Sequence, residues 1–291
     1  MRWRRRGRSA HLRDERGQGA GFGGMSLPLK AGLPGILVLV VALFLGGRLN
    51  GSGGVEIPGI NGLPNAPGAP AGSDSVPGAP DPDAKLVDFV SFVLDDVQST
   101  WQEQFRSAGR PYRAAELVLF TEATNTGCGS ATSDVGPFYC PADQTVYLDL
   151  GFFRELSRRF GAPGDFAQAY VIAHEMGHHV QQLLGISQRV QEASQQDQDQ
   201  ANQLSIKLEL QADCLAGVWG HTTYERRILE RGDLEEGLHA AAAVGDDRIQ
   251  KQATGTTNPE TWTHGSSEQR VGWFRRGFDG GDSDACNTFA S

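Results

Sequence analysis

Basic side chains are scarce once the first thirty residues are passed. Of the 26 Lys and Arg in 291 residues, eight fall at Arg2, Arg4, Arg5, Arg6, Arg8, Arg13, Arg16 and Lys30, and the remainder is acidic enough to bring the chain to a net −9. A nucleic-acid partner needs a cationic face against its phosphates, so the acidic bulk excludes that role. Long apolar runs are scarcer still. One stretch, the uncharged residues between Lys30 and Arg48 with Ile36 to Leu45 wholly apolar, is about the minimum that spans a ~30 Å hydrocarbon core. The arginines just before it read as an orientation signal that also suits anionic lipid. An Ala-x-Ala cleavage pattern is lacking at Gly46-Gly47-Arg48-Leu49-Asn50, so an uncleaved signal anchor is expected rather than a removed signal peptide. The positive flank predicts a cytoplasmic N-terminus and an extracytoplasmic remainder, periplasmic or cell-surface.

Large apolar groups are almost missing from residues 49–82, where Gly, Pro, Ala and Ser recur, and such a segment cannot bury a core. The chain therefore divides into a basic cytoplasmic segment (1–30), a transmembrane signal anchor (31–48), a Gly/Pro-rich linker (49–82) and a folded domain (83–291). Within that domain Leu86, Phe89, Val90, Val93, Val97, Trp101 and Phe105 recur at helical spacing and predict a core-facing helix. Leu117–Thr121 and Thr145–Leu150 read as strands. The fold class is α+β, mainly helical with a small β-sheet. Cysteine is also sparse, but Cys128, Cys140, Cys214 and Cys286 are even in number and lie on the side expected to be oxidising. Three pairings are open. Cys128–Cys140 is preferred, closing a loop of about thirteen residues for a stabilisation of about 3 kcal/mol, and leaves Cys214–Cys286.

Against these absences stands His174-Glu175-Met176-Gly177-His178. A helix turns about 100° per residue, so His174 and His178 share a face and can aim ring nitrogens at one zinc ion, while Glu175 beside them suits a general base acting on water. Asp165-Phe166-Ala167-Gln168-Ala169-Tyr170 opens the segment with Asp165 as a candidate N-cap, and Gly185 is a natural stop, which predicts a buried helix of about twenty residues. His179 points away from the ligand face. A catalytic zinc takes three protein ligands and keeps one position open. Glu209, on a second predicted helix from about Gln200 to Gly220, is the candidate third ligand. Asp213, four residues on, would accept the outer N–H of a ligand histidine, and it is also the rival third ligand. Cys214 faces elsewhere on that helix.

Two flanking stretches are less informative. Gln188–Gln203, rich in Gln and Asp, reads as a solvated helical extension or a lid. Asp233–Gln252 predicts one helix with a capping box at Asp233-Leu234-Glu235-Glu236 and close packing along Ala240–Ala243.

Glu209-x-x-Ala212-Asp213 after His-Glu-x-x-His resembles the gluzincin metallopeptidases, and in particular the HtpX-type and CAAX prenyl-protease peptidases. Thr263-His264-Gly265-Ser266-Ser267-Glu268-Gln269-Arg270-Val271 is similar to their Thr-His-Pro-x-x-x-x-Arg-Ile, with Gly265 in place of proline. That resemblance implies His264 as the group steadying the oxyanion and Arg270 as a support to the site. A closer resemblance runs nearly the whole length. Gly136-Pro137-Phe138-Tyr139-Cys140-Pro141, Gly245-Asp246-Asp247-Arg248 and the motifs above are similar to the bacterial neutral zinc metallopeptidase family. The resemblance implies a zinc peptidase with one zinc per chain but no defined substrate; with the tether read from composition, the expectation is a membrane-anchored endopeptidase acting on protein or peptide. A non-catalytic zinc-containing envelope module and a cell-wall zinc amidase are the alternative functions. Oligomeric state is not legible in the sequence.

Overall fold

A computed structural model describes residues 1–4, 7–17 and 81–290. Its first long element, α1 (Ala84–Ser107), buries Val90, Val93, Val97, Trp101 and Phe105 in the core, as their spacing predicts. Two helices then cross beneath it: α3 (Asp165–Leu183), which carries His174 and His178, and α5 (Ala201–Glu225), which carries Glu209. Between them runs α4 (Ile186–Gln196), so the Gln-rich segment is a short amphipathic helix on the surface of the domain.

The sheet has the order β1-β2-β6-β5, from β1 (Leu12–Asp14), β2 (Glu116–Phe120), β6 (Thr145–Asp149) and β5 (Phe138–Cys140). β1, β2 and β6 are parallel, whereas β5 runs antiparallel to β6 and forms one edge. β2 is buried on both faces. Leu117 and Leu119 join the main core, while Val118 and Phe120 pack with Phe138 and Tyr147 in a smaller cluster, as the two-residue strand period requires. A separate hairpin, β3 (Ala123–Thr126) with β4 (Gly129–Thr132), leads into the segment before β5, and helix α2 (Gly151–Arg158) follows β6.

The folded unit does not begin near Asp83, as the composition suggests. β1 lies in register on β2, with Leu12 opposite Leu117 and Asp14 opposite Leu119. Trp3 packs with tilted rings against Phe89 and Phe92 of α1, and the Met1 ammonium sits 2.9 Å from Asp165 at the start of α3. Residues assigned from sequence to a separate basic cytoplasmic segment are thus part of the domain. A three-residue strand whose partner lies a hundred residues away has no local signal. The anchor expected over 31–48 and most of the linker lie outside the described residues; among those described, no helix is long and apolar enough to cross a membrane.

Two further expectations change. Asp233–Gln252 is two helices, α6 (Asp233–Ala243) and α7 (Asp246–Thr254), broken at Gly245, where a Cβ would come within 2.4 Å of the Ser267 amide nitrogen. Asp233 is not part of a capping box. Gly232 is the N-cap, and the Asp233 carboxylate accepts from the Glu230 amide instead. Similarly, Gly164 rather than Asp165 caps α3. The capping box in this region belongs to the last helix, α8 (Ser267–Gly280), through Ser266 and Gln269. Ala240, Ala241 and Ala243 are buried, as the alanine run implies.

Candidate metal centre

The geometry of the centre begins where α3 meets α5. Gly177, inside the histidine motif, faces Ala212, and a Cβ at Gly177 would lie 3.0 Å from the Ala212 carbonyl oxygen. This close approach carries Glu209 to the histidine pair. His174 Nε2 is 3.1 Å from Glu209 Oε2 and His178 Nε2 is 3.4 Å from Glu209 Oε1. One donor atom from each of the three residues lies within 4.8 Å of the others, and all three residues are buried. Two imidazole nitrogens and a carboxylate oxygen converging on one point form a donor set that fits zinc, with three protein ligands and room for a fourth.

The outer nitrogens are also held. His174 Nδ1 is 2.9 Å from Asp213 Oδ1, so Asp213 orients His174 while Glu209 faces the donor point. Asp213 in turn accepts from Arg270 Nε at 2.8 Å and Nη2 at 3.0 Å, and from the Tyr170 hydroxyl. Arg270 reaches in because α8 crosses α5 through two glycines. A Cβ at Gly217 would lie 2.0 Å from the Phe274 carbonyl oxygen, and one at Gly277 would lie 1.9 Å from that of Cys214. His178 Nδ1 is 2.9 Å from Gln181 Oε1, and the Gln181 amide donates to the Leu208 carbonyl at 2.7 Å. The sequence assigns no site role to Gln181 or Tyr170. Their signal was available, since both lie one helical turn from a ligand histidine on the same face.

These contacts set the charge states. Burial disfavours the His174 imidazolium, but Asp213 and Glu209 outweigh it and push the pKa up to about 10. Burial would raise Glu209; His178 and His264 nearby, with hydrogen bonds from His174 and His178, hold it well below the usual carboxylate range. Glu175 goes the other way. Its buried carboxyl is raised by desolvation, against the opposing pull of His174 and His178, the direction expected of a base that must take up a proton.

His174, Glu175, His178, Glu209, His264 and Arg270 all line one cleft of about 110 Å³ together with Tyr170, and the rest of its wall is mostly apolar, with Val135, Phe138, Phe152, Phe160, Val171, Val244 and Ile249. His264 is placed there by Asp246, a residue of the Gly245–Arg248 stretch to which the sequence assigns no role, whose buried carboxylate accepts from the amides of Thr263, His264 and Gly265. His264 Nδ1 is engaged by Thr263 Oγ1 at 3.0 Å and lies 3.3 Å from Asp246 Oδ1, which leaves Nε2 for the cleft. Gly265 has φ +89°, a value that a proline ring forbids, so this loop departs in backbone from the Thr-His-Pro pattern it resembles. A larger, mostly apolar cavity of about 680 Å³ lies behind the ends of α3 and α5, but none of the candidate ligands lines it.

The segment before β5 supplies Val135 to Phe138 to the cleft, and it is closed by the Cys128–Cys140 disulfide. Cys214 pairs with Cys286, which removes it from any metal shell and ties the C-terminal tail to α5. His179 likewise lies outside the donor set. Its Nε2 donates to the Arg113 carbonyl at 2.7 Å and its Nδ1 accepts from the Tyr139 hydroxyl at 3.0 Å, joining α3 to β5.

The chain matches the family described as "Putative neutral zinc metallopeptidase" over residues 1–289. It is similar to the uncharacterized protein YpfJ of Escherichia coli, at 45% identity over 293 residues covering 99% of each chain. It is also similar to the uncharacterized protein Rv2575 of Mycobacterium tuberculosis, at 46% identity over 208 residues covering 68% of each. No solved structure matches.

Proposed function

Since the chain belongs to the neutral zinc metallopeptidase family, we propose that it is a zinc-dependent endopeptidase in which His174, His178 and Glu209 hold the metal and Glu175 is the general base. The observation that carries this reading is the convergence of three buried donor atoms in a cleft that also contains an uncoordinated, desolvated carboxylate. Zinc, when bound, supplies a Lewis acid that polarises the scissile carbonyl and acidifies water.

Glu175 takes a proton as water attacks the carbonyl carbon, then passes it to the leaving nitrogen as the C–N bond breaks, giving an acid and an amine. His264 Nε2 donates to the oxygen on which negative charge develops, and the Asp246 cradle holds the ring for that task. Asp213, fixed by Arg270 and Tyr170, keeps His174 in the tautomer with its proton on Nδ1, and Gln181 does the same for His178. β5, an edge strand of the sheet among the described residues and beside the cleft, offers backbone groups with which an extended peptide can pair. Two disulfides support a location outside the reducing cytoplasm.

The test is the Glu175→Gln variant assayed on unfolded casein beside the unaltered protein at matched zinc content. Cleavage lost with zinc retained is expected; full cleavage by a pure variant would sink the mechanism.

A further inference from the structure

A helix turns about 100° per residue, so on α5 Gln211 points about 200° away from the candidate ligand Glu209 and shares a face with Cys214, three positions on. That face meets the C-terminal tail. Cys214 is bonded to Cys286, and the Gln211 amide nitrogen donates to the Cys286 carbonyl at 2.9 Å. One tail residue is thus held twice, by its side chain and by its backbone. Gln211 is buried and lies outside the lining of the cleft. The oxygen of its amide turns toward α3, where it accepts from Gln181 Nε2 at 3.2 Å. Gln181 Oε1 faces His178 Nδ1 at 2.9 Å, so a continuous line of hydrogen bonds leads from the tail to a candidate ligand.

The direction of this line is fixed at its far end. A backbone carbonyl only accepts, so the Cys286 carbonyl takes the Gln211 NH2 group and leaves Gln211 Oε1 for α3. Gln181 then presents its own NH2 group to Gln211 and to the Leu208 carbonyl at 2.7 Å, which leaves its oxygen for His178. An oxygen there takes the proton of Nδ1 and keeps the Nε2 lone pair on the side of Glu209, whose Oε1 is 3.4 Å away. Reversing the Gln211 amide would set two acceptors together at Cys286 and two donors together at Gln181.

We propose that Gln211 and the Cys214–Cys286 disulfide are positioning elements of the metal centre: the disulfide holds the Cys286 carbonyl against Gln211, and Gln211 fixes His178 through Gln181, so that full metal affinity depends on a bond made outside the cleft. This rests on His174, His178 and Glu209 being the ligands. Because Leu208 also holds Gln181, the expected loss of affinity is about tenfold, the low end of what an orienting partner is worth.

The experiment uses the full chain in three forms beside the parent: Gln211→Met, which keeps length and packing but neither hydrogen bond, Cys214→Ala with Cys286→Ala, and all three changes together. Zinc affinity is read by titration against a competing chelator, the visible absorption of the cobalt(II)-loaded protein reports ligand geometry, and the thermal midpoint of the metal-free protein reports the fold. Gln211→Met and the cysteine pair should each weaken zinc binding about tenfold and alter the cobalt bands, and the combined form should bind no more weakly than either, as members of one line must. Parental affinity and parental cobalt bands in Gln211→Met, with only the midpoint lowered, would leave Gln211 a packing residue and overturn the proposal. Losses that multiply to about a hundredfold in the combined form would overturn the shared line. A parent that binds no metal overturns the ligand assignment and this inference together, whereas a parent that binds it beside unaffected variants overturns this inference alone.

Discussion

Gly177 and Ala212 touch where the two helices bearing the candidate ligands cross, one inside the His-Glu-x-x-His motif and the other between Glu209 and Asp213. The spacing of each motif aligns residues along its own helix; this contact sets the distance between them.

Replacing Gly177 with alanine is therefore expected to push the helices apart, because the atoms met are backbone, with Ala212 Cα at 3.1 Å. The gain in helix propensity, about 1 kcal/mol, is offset by overpacking of about 1–3 kcal/mol. Zinc content after dialysis and the thermal midpoint should both fall. Unchanged zinc binding would show that the crossing tolerates displacement.

Gln181→Ala removes the oxygen that faces the His178 outer nitrogen at 2.9 Å. Loss of such an orienting partner costs about 10–100-fold in metal affinity, to be read by titration against a competing chelator. A variant that holds zinc as tightly as the parent argues against a role for Gln181 in orienting His178.

His264→Ala should keep zinc and lower kcat by about 10²–10³-fold, the usual cost of removing an oxyanion donor. Loss of zinc from this variant would instead place His264 among the ligands.

Asp246 ties stability to pH. Its burial favours the neutral acid, but His264 and the backbone amides outweigh that and hold its pKa below the ordinary 3.8. A depressed folded-state pKa contributes stability that is fully present above 3.8 and lost as pH falls through the folded value. Asp246→Ala should cost about 1–3 kcal/mol at neutral pH, with the gap to the parent narrowing under acid in denaturant titrations. A gap independent of pH would point to packing alone.

Removing the first disulfide by Cys128→Ser with Cys140→Ser should cost about 3 kcal/mol and raise KM, since the freed loop forms one wall of the cleft. Zinc stoichiometry should not change.

The parts legible in the sequence were those with local periodicity. The helices bearing His174, His178, Glu209 and Asp213 follow from i, i+4 spacing and apolar patterning, and the four cysteines pair as their spacing suggests. β1 and β5 were not legible, because three residues hold too little pattern and their identity as strands comes from distant partners. Asp246 lies in a stretch that carries the family resemblance, but nothing local marks its role. The amides it gathers lie at Thr263 to Gly265, beyond a helix and a turn. Arg270 was reachable only by resemblance, because its salt bridge to Asp213 joins residues 57 positions apart.

Gly217 and Gly277 each rest against a carbonyl of the opposite helix, at distances no Cβ can share. In a saturation survey of all substitutions, these two columns should be as intolerant as the histidines, although neither residue lines the cleft. A map of mutational damage would thus show a second focus one turn along α5 from Asp213, and reading every sensitive site as part of the chemistry would misplace the candidate site.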